Sequence, residues 1–371
     1  MPTVKLGDVA IEVKEAYKGD KAGYPIVGLE HITPEEVTLS NWSVETENTF
    51  TKMFRKDDIL FGRRRAYLKK AAIAPFDGIC SGDITVIRAK SEKLFPMLLP
   101  FVIQNDDFFE YAVGKSAGSL SPRVKWEHLK NYEFKLPSLE KQRELADLLW
   151  AINDSRKAYQ ELLRETDELI KSQYIEMFGL ESEGMKTIDN IANICRGASP
   201  RPIAKYVTDD EGGVNWIKIG DATEDDIYIT HTAERITKEG AKKSRPVEPG
   251  DFILSNSMSF GRPYIVRIDG CVHDGWLIIS DYQDHLDPLF FYYELRSDLV
   301  QRQFDGSANG SCVKNLNSDL VKKVKIHVPP MEEQLKFVGF ARQSNKSKFE
   351  LRKAIEGVDN LIRSLVQQEL K

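Results

Sequence analysis

Apolar residues recur at three- and four-residue intervals after Pro137: Leu145, Leu148, Ile152, Tyr159, Leu162 and Leu169, with Ser155 and Thr166 in weaker seam positions. Pro137 stops the preceding strand, Ser138 is placed to cap, and Glu140 suits the positive end of a helix dipole. No proline or glycine follows before Gly179. The spacing therefore predicts one helix of roughly 40 residues, a rod of about 60 Å. A helix that long cannot be buried all round in so short a chain, so one stripe needs a partner. Leu351, Ile355, Val358, Ile362 and Leu365 form a second stripe in the segment that starts at Met331. Gly339 and Gly357 weaken that helix by about 1 kcal/mol each relative to Ala, so it needs the first helix to hold it. Elsewhere the pattern changes to short alternating runs broken by Gly, Pro, Asp and Asn. Ile84–Ile87 and Tyr264–Ile268 read as strands, and Phe95–Tyr111 and Asp287–Phe304 as helices. The class is α+β rather than a regular βαβ series.

The pattern repeats. Leu136-Pro137-Ser138-Leu139-Glu140-Lys141-Gln142 corresponds to Val328-Pro329-Pro330-Met331-Glu332-Glu333-Gln334, 192 residues on. Three more pairs keep nearly that offset: Asp58-Ile59-Leu60 with Asp251-Phe252-Ile253, Asp77–Cys80 with Asp269–Val272, and Leu129–Lys135 with Leu320–Ile326. The starts, Val4–Ala10 and Met185–Ile191, also correspond, at an offset of 181. A period near 190 residues is too long for a solenoid and implies two whole domains, each followed by a helix. The expected organisation is a first globular domain at 1–137, a spacer helix at 138–184, a second domain at 185–328 and a second spacer helix at 329–371. Two similar domains on a helical spacer suggest a ruler. Half-sites on one face of DNA lie roughly 34–36 Å apart, which such a rod can span.

The 371 residues include 52 basic and 57 acidic side chains, a formal net charge of −5. The imbalance is local. Residues 138–184 carry 6 basic and 11 acidic groups, whereas 1–137 carry 20 and 19. Any nucleic-acid face must therefore come from local clustering of cations. No apolar run is long enough to span a bilayer, and Met1–Lys5 opens without the apolar core of a secretory signal. The four cysteines are far apart and form no CxxC pair, which fits a reducing cytoplasm.

Phe61–Lys70, Ala74–Ile84 and Tyr24–Ile32 resemble the target recognition domain of type I restriction-modification specificity subunits. So do Arg196–Arg201, Val214–Asp221, Lys314-Asn315-Leu316 and the Pro-x-x-Glu-x-Gln entry to both helices. The resemblance covers nearly the whole chain. It implies two target recognition domains separated by two helices in an antiparallel coiled coil, and a bipartite, asymmetric double-stranded DNA target with one half per domain. It implies a non-catalytic subunit of a cytoplasmic complex. The partners would be two methyltransferase subunits carrying S-adenosylmethionine, and restriction subunits using ATP and Mg, with no cofactor or metal in this chain.

Candidate DNA-binding residues follow from chemistry. Arg63, Arg64 and Arg65 cannot all face a core, and arginine suits guanine edges and phosphates. Tyr67 and Lys69 extend that patch. Ser119, Arg123 and Lys125 lie on a Gly/Ser loop that lets backbone approach phosphate. In the second half the candidates are Arg196, Ser199, Arg201 and Lys218, then Arg262 and Tyr264 in place of the triple arginine, and Asn309, Lys314 and Asn315. Catalytic signatures are missing: no P-loop, HExxH or GxGxxG, and no Asn/Asp-Pro-Pro-aromatic tetrapeptide of an adenine methylase. His273-Asp274 reads as structural, since neighbours in a strand point to opposite faces. A self-contained methylase is thus disfavoured. A coiled-coil adaptor binding only proteins remains an alternative, kept open by the near-neutral domain charge.

Overall fold

In each half a mainly antiparallel sheet forms around one strand buried at every position, Ile59–Gly62 or Phe252–Ser255. In the first half the order is Ala10–Val13, Ile84–Ala89, Ile59–Gly62, Ala71–Ile73, with Ile59 opposite both Ile87 and Ile73. In the second it is Asn193–Arg196, Trp276–Ser280, Phe252–Ser255, Pro263–Val266, extended by Tyr228–Ile229, with Phe252 opposite Ile279 and Ile265. A second sheet accompanies each, of three strands in the first half and five in the second. Ile26–Val27 runs parallel to Gly78–Cys80, which pairs with Lys52–Phe54. Val214–Ile217 runs parallel to Gly270–Val272, which pairs with Arg245–Val247. Finally, Thr3–Lys5 pairs with Glu133–Lys135, and Lys186–Thr187 with Lys325–Ile326. The repeat read from short motifs is thus a repeat of strand order and register.

The computed structural model describes residues 1–179, 185–223, 226–256, 260–307 and 316–371. The chain divides into two compact units, Met1–Leu163 with Glu350–Lys371, and Arg164–Phe349. The long helices are Leu139–Phe178 and Met331–Leu370, 40 residues each, packed together as an antiparallel coiled coil. Each is shared between the units. In the first unit Leu145, Ala146 and Leu149 share a core with Val366 and Leu370, and Arg156 meets Asp359 at 2.7 Å. In the second, Ile170 and Tyr174 pack with Phe337, Val338 and Ala341, and Lys348 pairs with Asp167.

Two expectations need correction. The buried stripe of the first long helix keeps Leu145, but Leu148, Leu162 and Leu169 are about half exposed, at 47%, 47% and 53%. Each begins an apolar doublet (Leu148-Leu149, Leu162-Leu163, Leu169-Ile170); Leu149 and Ile170 are buried and Leu163 is half-buried, so the second member is the more enclosed. The predicted helices Phe95–Tyr111 and Asp287–Phe304 are each broken in two. Asn105 caps a new helix, Asp106–Gly114, by accepting the Asp107 N–H at 3.1 Å. Ser297, in extended conformation, separates Pro288–Arg296 from Asp298–Ser307.

The Pro-x-x-Glu-x-Gln motif has a physical reason. The buried Gln142 accepts the Phe95 N–H at 2.8 Å and donates to the Lys93 and Pro137 carbonyls. The buried Gln334 accepts the Asp287 N–H at 2.8 Å and donates to the His285 and Pro329 carbonyls. In both copies one amide clamps the helix entry to the loop that opens the helical layer.

Candidate nucleic-acid interface

In the first unit the arginine loop leaves the buried strand Ile59–Gly62 and turns sharply. Arg65 and Lys69 both adopt left-handed backbone (φ 55° and 50°) around the short turn Ala66–Leu68, whose Ala66 is buried. Main-chain bonds tie this loop to two others. The Arg63 N–H donates to the Asp83 carbonyl at 3.0 Å, the Arg65 N–H to Pro122 at 2.8 Å, and the Val124 N–H to Arg63 at 2.9 Å. Ala117 and Arg123 exchange a pair of bonds that closes the Gly/Ser loop, with Gly118 at φ +116°.

Asp83 stands where the three meet. Its carboxylate takes a two-pronged bond from Arg123, Nε at 2.8 Å and Nη2 at 3.3 Å, with Arg64 Nη1 at 3.6 Å. Arg64 Nε donates to Ser121 Oγ at 2.5 Å. The Arg123 bond holds the Asp83 carboxyl below the usual carboxylate range, against the opposing effect of partial burial. Arg65, Ser119 and Lys125 are exposed beside this cluster, and Tyr67 is 56% exposed. The Arg63 guanidinium is half-buried, its Nε without a hydrogen-bond partner. Lys69 is turned toward acids, with Asp106 at 2.5 Å and Glu35 at 3.5 Å.

In the second unit Asp274 lies in the connection between Gly270–Val272 and Trp276–Ser280. Its carboxylate accepts from Ser199 Oγ at 2.6 Å and from Arg201 Nη2 at 3.2 Å. Its carbonyl accepts from Arg196 Nε at 3.0 Å and Asn256 Nδ2 at 2.9 Å. The Ser199 bond keeps this carboxyl below its ordinary range, with Arg201 and His273 adding to the effect. Arg196 and Arg201 are exposed. His273 diverges from Asp274. Its ring lies between Trp216 and Trp276, its Nδ1 accepts the Gly275 N–H at 2.6 Å, and burial lowers its pKa.

The structure thus brings together Arg64 and Arg123, joined through their backbones to Arg63 and Arg65, and separately Arg196, Ser199 and Arg201. Lys218 stands apart, paired with Glu234. Tyr264 is a correction. Only 3% exposed, its ring packs edge-on against Trp276 at 5.7 Å, and its hydroxyl meets the half-buried Arg262. Alternation in a strand buried on both faces left that ring no outward direction. Asn309, Lys314 and Asn315 lie outside the described residues. Sequence reasoning did not pick out Asp83, and it read His273-Asp274 as structural strand neighbours, whereas both lie in the connection between strands. Ser121, and Leu120, 92% exposed at the loop tip, lay in the Gly/Ser loop but were not among the candidates. Among the described residues no group of three or more His, Cys, Asp or Glu side chains could hold a metal ion. No helix among them is long and apolar enough to cross a membrane.

Comparison with known proteins agrees with this duplicated arrangement. The family described as type I restriction modification DNA specificity domain matches residues 1–163 and again 181–356. The MjaX type I restriction enzyme specificity subunit of Methanocaldococcus jannaschii is 22% identical over 349 residues, 85% of this chain and 79% of that protein. The S.HindORF215P specificity subunit of Haemophilus influenzae is 26% identical over 278 residues, 70% of this chain and 66% of that protein. A chain solved in a study of type I R-M complex assembly has a TM-score of 0.59 at 20% identity, covering 99% of this chain and 97% of its own. The type I S subunit from M. genitalium has a TM-score of 0.54 at 14% identity, covering 98% and 95%. Two matched copies of the specificity domain on a shared pair of long helices place this chain in the type I restriction-modification family, as a specificity subunit.

Proposed function

We propose that the chain reads a bipartite, asymmetric double-stranded DNA sequence, one half per unit, for a cytoplasmic restriction-modification complex. The observation that carries this reading is that each copy of the domain gathers half-exposed or exposed arginines beside the connection that follows its Gly78–Cys80 or Gly270–Val272 strand. The clusters differ in residues and in the loops that supply them, so the two half-sites should differ in sequence. The arginine forks suit base edges and phosphates, while the exposed serine and backbone of the Gly118–Lys125 loop suit phosphates.

The coiled coil sets the separation of the half-sites and docks two methyltransferase subunits. The outward leucines Leu148, Leu162 and Leu169 support that docking, because they leave apolar surface on the first long helix after the pair has packed. The chain contributes recognition and no catalysis. S-adenosylmethionine belongs to the methyltransferase partners, and ATP and Mg to the restriction subunits.

The test is a genome-wide map of N6-methyladenine in the source strain with and without this gene. Loss of one split motif around a fixed gap is expected. An unchanged map in a strain shown to express the methyltransferase partner would overturn the reading and favour a protein-binding adaptor.

A further inference from the structure

The same three-residue connection carries an aspartate in both units. Ser81-Gly82-Asp83 joins Gly78–Cys80 to Ile84–Ala89, and His273-Asp274-Gly275 joins Gly270–Val272 to Trp276–Ser280. The aspartate is third in one connection and second in the other, so its backbone setting has changed. Its partners have changed as well. Asp83 draws cations from the loop after Ile59–Gly62 and from the Gly118–Lys125 loop. Asp274 takes Arg201, from the segment after Asn193–Arg196, on its carboxylate, and Arg196, the last residue of that strand, on its backbone carbonyl. What both copies keep is one carboxylate among half-exposed or exposed arginines. Inherited packing would keep the partners and not merely the pairing.

Such a carboxylate costs the domain attraction for phosphate. It gives geometry in return. Arg123 spends its Nε and Nη2 edge on Asp83, which fixes the plane of the guanidinium and leaves Nη1 for an outside acceptor. Arg64 is held by Ser121 through Nε and by Asp83 through Nη1. A free arginine would have to order its long side chain on binding, and these two are already ordered.

We propose that Asp83 and Asp274 are positioning residues for base readout, the Asp83 carboxylate holding Arg64 and Arg123 and the Asp274 carboxylate holding Arg201, in the orientation that recognises that unit's half-site. This rests on the DNA-recognition reading above. The role is orientation rather than grip, so removing the carboxylate lowers selectivity while leaving or raising general affinity for DNA.

The experiment uses the full chain assembled with its methyltransferase partner. Wild type, Asp83→Asn and Asp274→Asn are compared on the cognate duplex, on duplexes with one half-site scrambled, and on a duplex with both scrambled, at several salt concentrations. For Asp83→Asn, cognate affinity is expected to fall about 10- to 100-fold, the span of one or two lost bidentate contacts. Binding to the doubly scrambled duplex should hold or rise, because a negative charge beside phosphate has gone. Discrimination should be lost only at the half-site read by the first unit, and with Asp274→Asn only at the other.

Asp83→Glu keeps the carboxylate and is expected to recover part of the selectivity. Arg123→Lys keeps the charge, loses the fork, and is expected to reproduce the cognate loss. Equal losses on cognate and scrambled DNA, or a loss at both half-sites from either single variant, would overturn the proposal. Unchanged discrimination in both asparagine variants would overturn it too. If wild type itself fails to tell cognate from scrambled DNA, the recognition reading fails instead, a result the variants cannot mimic.

Discussion

Gln142 and Gln334 hold the same three-bond position 192 residues apart, each accepting one loop N–H and donating to two carbonyls. Both side chains are buried, and the bonds they make are at least partly screened from water. Leucine at either position should cost about 2 kcal/mol or more, since a buried amide and two carbonyls lose their partner. Urea unfolding of Gln142→Leu and Gln334→Leu checks this. A wild-type midpoint in either would show that the clamp holds nothing.

Asp58 and Asp251 precede equivalent strands, but only Asp58 has an arginine. Arg88 grips its buried carboxylate at 2.6 and 2.8 Å. Ser280 stands at the matching register, and burial raises the Asp251 carboxyl. Arg88→Met should therefore destabilise by about 3 kcal/mol, the range for stranding a buried charge. Asp251→Asn should do the reverse. A carboxyl raised in the folded state favours folding most at low pH, and that advantage is lost as pH rises through the folded value. The asparagine variant should thus be the more stable at pH 7, with the gap closing below the ordinary value of 3.8. Melting curves at the two pH values decide it.

Burial lowers the pKa of His273, so the folded chain binds fewer protons than the unfolded chain near the ordinary value of 6.5. Stability from this group is complete above that value. It is lost as pH falls from there toward the depressed folded value, at up to about 1.4 kcal/mol per unit. His273→Asn keeps an acceptor for the Gly275 N–H and removes the titration. Wild type should lose more stability than this variant between pH 7.5 and 5.5. Parallel losses would place the sensitivity elsewhere.

Leu120 projects almost fully into solvent beside Ser121 and Arg123. An apolar tip among cations can press on a thymine methyl or wedge at a base step. Leu120→Ser should leave the melting temperature unchanged and weaken cognate binding roughly three- to tenfold, about 1 kcal/mol. Undiminished binding would take the loop tip out of the interface.

The repeat, the α+β class and both long helices were legible in sequence, because turn residues and periodicity are local signals. The seam of the first helix was harder. Leu148-Leu149, Leu162-Leu163 and Leu169-Ile170 each offer two apolar neighbours, and the choice between them is made by partners far along the chain. Arginines could be picked out by type. Their organisation could not, because Asp83 and Asp274 are single aspartates in short turns and their partners come from far along the chain. Tyr264 shows the opposite error: a residue next to a candidate loop, yet one register step inside the core.

The 22 residues Glu350–Lys371 complete the core of the first unit, where Val366 and Leu370 are buried. The second unit, by contrast, is one unbroken stretch, Arg164–Phe349. Ribosomal synthesis therefore delivers the parts out of step. The unit that begins first is finished last and waits, with an apolar face open, while the later one has every residue it needs. Premature termination near residue 349 is expected to injure the half-site reader farthest from the stop, and a nascent chain at that length is where a chaperone would be most needed.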